Sequence, residues 1–264
     1  MAPFLTQEIE QRVLGYVAAR EDTKALRACA LAHRSFVARC QAALFYRVTI
    51  RKIREIDALA RLSPRILAYI RDLRIAPSSD WLSTYTRHSY FEDNMDALTG
   101  LLVKLPAVLH LHIDSSLTSE LIDYADLSVE LRRAILEKLP SLRTLALTDV
   151  MRVPLALLDH LQDVQELHLE NALFEDKRGV ELIQRPTGVK PPARLSRLTY
   201  TLHPDMTRPS GFADFVKKLG VQPGAGTLPN APLDISALRS LRLQVKDFRQ
   251  EQRSILDACK DTLN

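Results

Sequence analysis

The sequence predicts an α/β protein in two parts: a three-helix module over residues 1–50, then a repeat domain over residues 51–264 with short parallel strands inside and helices outside. Three observations carry this expectation. Apolar residues recur at helical spacing through the first 50 positions. Beyond residue 70 an apolar–two–apolar–two–apolar step returns several times, each time ending in an apolar-x-apolar strand signal. Hydrophobic residues make up 46% of the chain but aromatics only 6%, so the core is aliphatic, as Leu-rich helical or repeat packing requires.

In the first module, Leu5, Ile9, Val13, Tyr16 and Val17 share one helical face, with Thr6 placed to cap the helix. Asp22 or Thr23 can cap a second helix through Leu26, Cys29, Ala30 and Leu31. Ser35 is the expected cap of a third, carrying Phe36, Val37, Cys40, Leu44 and Phe45. Neither Gly nor Pro occurs between Tyr16 and Ser63, which favours helices with tight connections. Ser63-Pro64 then reads as a cap with proline at the first helical position.

From Asp72 the repeat theme takes over. Its clearest instances are Leu105, Val108, Leu111, Ile113; then Leu139, Leu142, Leu145, Leu147; then Leu161, Val164, Leu167, Leu169. Looser copies are Leu195, Leu198, Tyr200 and Ile235, Leu238, Leu241, Leu243. The strand leucines 73, 111, 145, 167, 198 and 241 are separated by 38, 34, 22, 31 and 43 residues. The step resembles that of leucine-rich repeats, whose period is about 20–29 residues, so an irregular array with helical insertions is expected. One unit alone cannot bury its apolar strand face; stacked neighbours can. Pro106 and Pro140 fit as helix terminators, and Pro154 as the start of a helix through Leu157, Leu158 and Leu161. Pro77 to Asp93, with Trp81, reads as an aromatic flap, and the Pro/Gly-rich stretches 186–194 and 221–232 read as mobile loops. Asp247 with Gln250 signals a last helix that covers the open end of the array.

The N-terminal strings Leu5-Thr6-Gln7-Glu8-Ile9, Val13-Leu14, Leu26-Arg27-Ala28-Cys29-Ala30-Leu31, His33-Arg34-Ser35-Phe36 and Leu44-Phe45-Tyr46-Arg47-Val48 together resemble an F-box, as found at the head of many fungal F-box/leucine-rich-repeat proteins. Thr6 stands where that family usually has proline, and Ser35-Phe36 where it has Ser-Trp. The likeness implies a substrate receptor of an SCF-type ubiquitin ligase. Its F-box would bind a Skp-type adaptor, and through it a cullin complex, while the repeats hold a protein substrate. It further implies that Leu5, Ile9, Val13, Leu14, Leu31 and Phe36 form the adaptor-facing surface. A leucine-rich-repeat scaffold whose degenerate F-box binds no adaptor is the alternative.

Alternation along each strand sends the leucines to one face and the residues between them to the other. The candidate partner surface is therefore Arg74, His110, His112, Glu166, His168, Glu170, Arg197 and Arg242, with Asp114, Thr144, Ala146, Thr148, Thr199, Thr201 and Gln244 between them. A metal at His110, His112 and His168 is not expected, because the strand of Leu145 should separate the first pair from the third. No cofactor and no catalytic residue is expected either. The chain has no Gly-rich phosphate loop, nucleophile elbow or His-Glu-x-x-His, and the acidic pairs Asp123/Asp126 and Glu175/Asp176 read as surface.

Net charge is +4, but residues 20–74 carry 13 Lys/Arg against 5 Asp/Glu, which leaves the remainder at −4. That basic block lacks a recognised nucleic-acid motif, so nucleic acid is not an expected partner. Cys29, Cys40 and Cys259 fit neither a disulfide framework nor a metal site. With neither a signal peptide nor a membrane-length apolar run, a cytoplasmic or nuclear location is expected.

Overall fold

The computed structural model describes residues 7–20, 22–77, 90–116, 121–175, 192–203, 210–222, 226–227, 231–245, 249–259 and 263. Three helices come first: α1 (Gln7–Ala19), α2 (Thr23–Ala32) and α3 (Arg34–Tyr46). The Asp22 carboxylate accepts from the Ala25 amide at 2.9 Å and caps α2 as expected. At α3 the cap is His33, not Ser35: its Nδ1 accepts from the Ser35 amide at 3.3 Å, and Ser35 sits inside the first turn. Leu14, Leu26 and Cys40 form a small core here, separate from the main one. Cys40 is fully buried, and desolvation raises its thiol pKa.

α3 runs without a loop into β1 (Arg47–Ile50), a strand that was not expected because no leucine step precedes it. The helical module therefore stops at residue 46, and the last four residues assigned to it open the sheet. There follow α4 (Ile53–Ala60), the one-turn α5 (Pro64–Leu67), β2 (Asp72–Ile75), α6 (Tyr90–Lys104), β3 (His110–Asp114), α7 (Val129–Lys138), β4 (Thr144–Thr148), β5 (Glu166–Glu170), β6 (Arg197–Thr201), α8 (Ser210–Lys218), β7 (Ser240–Gln244) and α9 (Arg249–Cys259).

The seven strands form one parallel sheet in chain order, β1 to β7, with none skipped. The mixed α/β class with parallel strands is as expected. Register is the decisive detail. Val48, Leu73, Leu111, Leu145, Leu167, Leu198 and Leu241 lie opposite one another in a single row. Ile50, Ile75, Ile113, Leu147, Leu169, Tyr200 and Leu243 form the next. Parallel crossovers share one hand, so strands that always step the same way carry their connections on the same face. The apolar rows accordingly bury into one continuous core with Leu98, Leu101 and Leu102 of α6 and Leu131 and Ile135 of α7.

Pro106 and Pro140 do follow α6 and α7, the latter inside a 3-10 turn over Leu139–Ser141. The helix expected after Pro154 is also a 3-10 segment, Leu155–His160, with Pro154 as its cap and Leu161 just past its end. The supposed loops contain short pairings. Ala193–Arg194 pairs in parallel with Leu233–Asp234, and Val221–Gln222 pairs antiparallel with Gly226–Thr227. Trp81 and most of the aromatic flap lie outside the described residues, as do Thr6, Asp176 and Asp247.

Strand ends turn on non-glycine residues in the left-handed region, Asp149 at φ 57° and Asn171 at φ 52°. Asx residues tolerate that conformation because their short polar chains bond locally. Here Asn171 Nδ2 donates to Asp149 Oδ1 at 2.8 Å, and Asn171 Oδ1 accepts from the His203 amide at 2.6 Å. Successive turns are thereby tied together at the carboxyl edge of the sheet. Toward the far end Phe174, Tyr200, Phe212 and Phe215 cluster with ring centroids 4.8–5.2 Å apart, and Tyr200 Oη donates to the Ala172 carbonyl at 3.1 Å.

Candidate protein-interaction surfaces

One surface lies on the helical head. α1 and α2 are amphipathic, yet their apolar residues do not all turn inward. Leu31 is 88% exposed, Tyr16 57% and Val13 49%, and the Arg20 guanidinium lies 4.3 Å above the Tyr16 ring. Such exposure of large apolar groups on so small a module marks a surface available for contact. Leu14 is placed differently from expectation. It is buried against Leu26 and Cys40, because the head has only these few residues from which to build a core. Phe36 is half-buried against the same core. Ile9 lies on α1, where the backbone alone is described, and Leu5 falls outside the described residues.

The other surface is the open face of the sheet, which no helix covers among the described residues. Registration aligns Arg47, Asp72, His110, Thr144, Glu166 and Arg197 in one row, and Arg74, His112, Ala146, His168, Thr199 and Arg242 in another. The eight residues expected on this face are all there. Arg74, Glu170, Arg197 and Arg242 are exposed, while His110, His112, Glu166 and His168 are half-buried. Asp72, Asp114, Thr144 and Ala146 are buried beneath their longer neighbours, so the face is less uniformly solvated than alternation alone implies.

Arginine–carboxylate pairs cross between adjacent strands. Arg47 Nε meets Asp72 Oδ2 at 2.7 Å, Arg197 Nη1 meets Glu166 Oε1 at 3.3 Å, and Arg74 bonds Asp114. Asp114 also accepts from the amide of Ser116, and these bonds hold its carboxyl below the ordinary range although burial pulls the other way. His110 Nδ1 shares a hydrogen bond with Thr144 Oγ1 at 2.8 Å, and His168 Nδ1 with Thr199 Oγ1 at 3.2 Å. His112 Nε2 lies 3.5 Å from Asp72 Oδ1. Burial lowers the His112 pKa despite that carboxylate, helped by Arg74 and the two other histidines. Of these residues Arg47, Asp72, His110, His112, Thr144, Glu166 and His168 line a shallow depression of about 380 Å³ with Tyr46, Arg143 and Gln165.

The strand of Leu145 does separate His112 from His168, with Ala146 between them in register. No cluster of three or more potential metal ligands occurs among the described residues. Sequence reasoning missed Arg152, which reaches across from a left-handed turn to bond both Asp123 and Asp126. That pair is joined through a buttress between neighbouring turns, a role no local sequence signal announces. Among the described residues no helix is long and apolar enough to cross a membrane.

Comparison with protein-family models, with curated proteins and with solved structures finds no match to this chain.

Proposed function

We propose that this chain is a substrate-recognition subunit of an SCF-type ubiquitin ligase, a protein that does no chemistry and instead holds a substrate close to the transferring enzyme. In this reading residues 7–46 are an F-box that docks a Skp-type adaptor, and residues 47–264 are an irregular leucine-rich-repeat solenoid whose open sheet face holds the substrate. A cytoplasmic or nuclear setting, where such ligases act, goes with it. The observation that carries the reading is the exposure of three large apolar side chains, Val13, Tyr16 and Leu31, on a helical head that has its own core. The even leucine register of the sheet supports the repeat half.

The test is co-purification of the full chain with a Skp-type adaptor. Wild type should retain the adaptor, and Leu31→Asp should lose it without loss of helical content, since Leu31 lies outside the core. A folded wild-type chain that retains no adaptor would sink the reading.

A second reading has one observation in its favour: α3 leads directly into β1, the sheet's first edge strand. A repeat stack needs such a cover at its end. In that case the head is only a cap. Deleting residues 1–46 would then destabilise the sheet, while Leu31→Asp would change nothing in the cell.

A further inference from the structure

β7 ends the sheet. It pairs with β6 on one side, and no strand pairs with its other edge among the described residues. A strand edge offers amide and carbonyl groups that a further extended segment satisfies, and native proteins usually blunt such edges. This edge is only partly blunted. α9 buries Ile255 and Cys259 in the main core, and Gln252 Nε2 donates to the Val245 carbonyl at 2.6 Å just past the strand. The helix does not close over the strand's own side chains. In the two apolar rows every member from β2 to β6 is buried, whereas Leu241 and Leu243 stay half-buried. Together with Leu256, 48% exposed, Leu263, Arg239, Ser240 and Gln252 they line a groove of about 390 Å³, whose apolar wall is the four leucines.

Charge on the opposite face points to the occupant. Arg47, Arg74 and Arg197 each pair with a carboxylate on an adjacent strand. Arg242, on the last strand of the sheet, has no acidic partner among the described residues; its neighbours on β6 are Thr199 and, one row on either side, Arg197 and Thr201. The groove and this arginine lie on the two faces of one strand edge.

We infer that the outer edge of β7 is a docking site for an extended segment of another polypeptide with an apolar–acidic–apolar pattern. Its backbone adds an eighth strand, its two apolar side chains extend the rows of Leu241 and Leu243 over Leu256 and Leu263, and its carboxylate pairs with Arg242 on the open face. Backbone bonds supply affinity, and the alternating side chains supply selectivity. A second copy of this chain is the poorer occupant, because two antiparallel β7 strands centred on Arg242 would set like charges opposite each other. This site is distinct from the adaptor patch and does not depend on it.

The experiment uses the full chain and a fluorescein-labelled peptide, Ser-Thr-Leu-Glu-Leu-Thr-Asn, followed by fluorescence anisotropy, with a Leu-Lys-Leu version as its charge-reversed control. Wild type should bind the Leu-Glu-Leu peptide saturably. Arg242→Glu should weaken that binding about tenfold and should prefer the lysine peptide instead, since it removes an attraction and adds a repulsion. Leu256→Asp, at an exposed position, should weaken both peptides. No binding by wild type, or equal binding by wild type and Arg242→Glu, would overturn the inference. So would sedimentation showing a dimer of the free chain that the peptide competes apart, which assigns the edge to a second copy.

Discussion

Leu14 and Leu31 sit in adjacent helices of the same head and have opposite roles. Leu14 is 6% exposed and Leu31 88%, although both are leucines in amphipathic helices. Leu14→Ala should therefore cost about 2–3 kcal/mol of stability, as truncation in a small core does. Leu31→Ala should cost almost none. Denaturant titrations of the two variants check this, and equal midpoints would contradict the burial. His112 gives a second expectation. Its folded pKa lies below the unfolded value of about 6.5, so in the window beneath 6.5 the unfolded chain binds more protons. Stability should then fall as pH drops from 7 toward 5. His160, lowered by burial as well, shares in the loss. His112→Asn should flatten the profile in part, and an unchanged slope would show that His112 does not titrate this way.

At the scale of elements, the register of the leucine rows governs stability. Leu145 lies in a central strand and is 1% exposed, whereas Leu241 lies at the edge and is half-buried. Leu145→Ala should cost about 3–4 kcal/mol and Leu241→Ala about half as much, because less surface is removed from water and the edge relaxes more freely. Thermal unfolding of both variants measures the difference; equal losses would mean the edge is as tightly packed as the centre. These rows were legible in the sequence because a parallel sheet with one covered face repeats its apolar pair at every strand. What was not legible follows from tertiary context. β1 carries Val48 and Ile50 with no leucine step before it, so only pairing with β2 makes it a strand. His33 outcompeted Ser35 as a cap through its ring nitrogen, an option that residue preferences rank low. The segment after Pro154 winds as 3-10 rather than α although its leucines fit either period.

For the whole molecule, chain-ordered strands make stability additive along the stack, with the interior held by two neighbours and each end by one. The head leads directly into the first edge strand, and α9 lies beside the last. Of the candidate surfaces, the open-face residues were readable from alternation, since side-chain direction in a strand is fixed by position. The residues proposed to face an adaptor were readable only in composition, because a short helix does not state which of its leucines the module needs for its own core. Head and sheet present two separate candidate surfaces, the exposed apolar residues of α1 and α2 and the open polar face of the strands.

The decisive measurement is affinity purification of the full chain from its native cells, read by mass spectrometry alongside the Leu31→Asp variant. Recovery of a Skp-type adaptor and a cullin with wild type, and their loss with Leu31→Asp while other bound proteins remain, is the expected result. Recovery of neither with a folded wild-type chain, or of both equally with the variant, would contradict it.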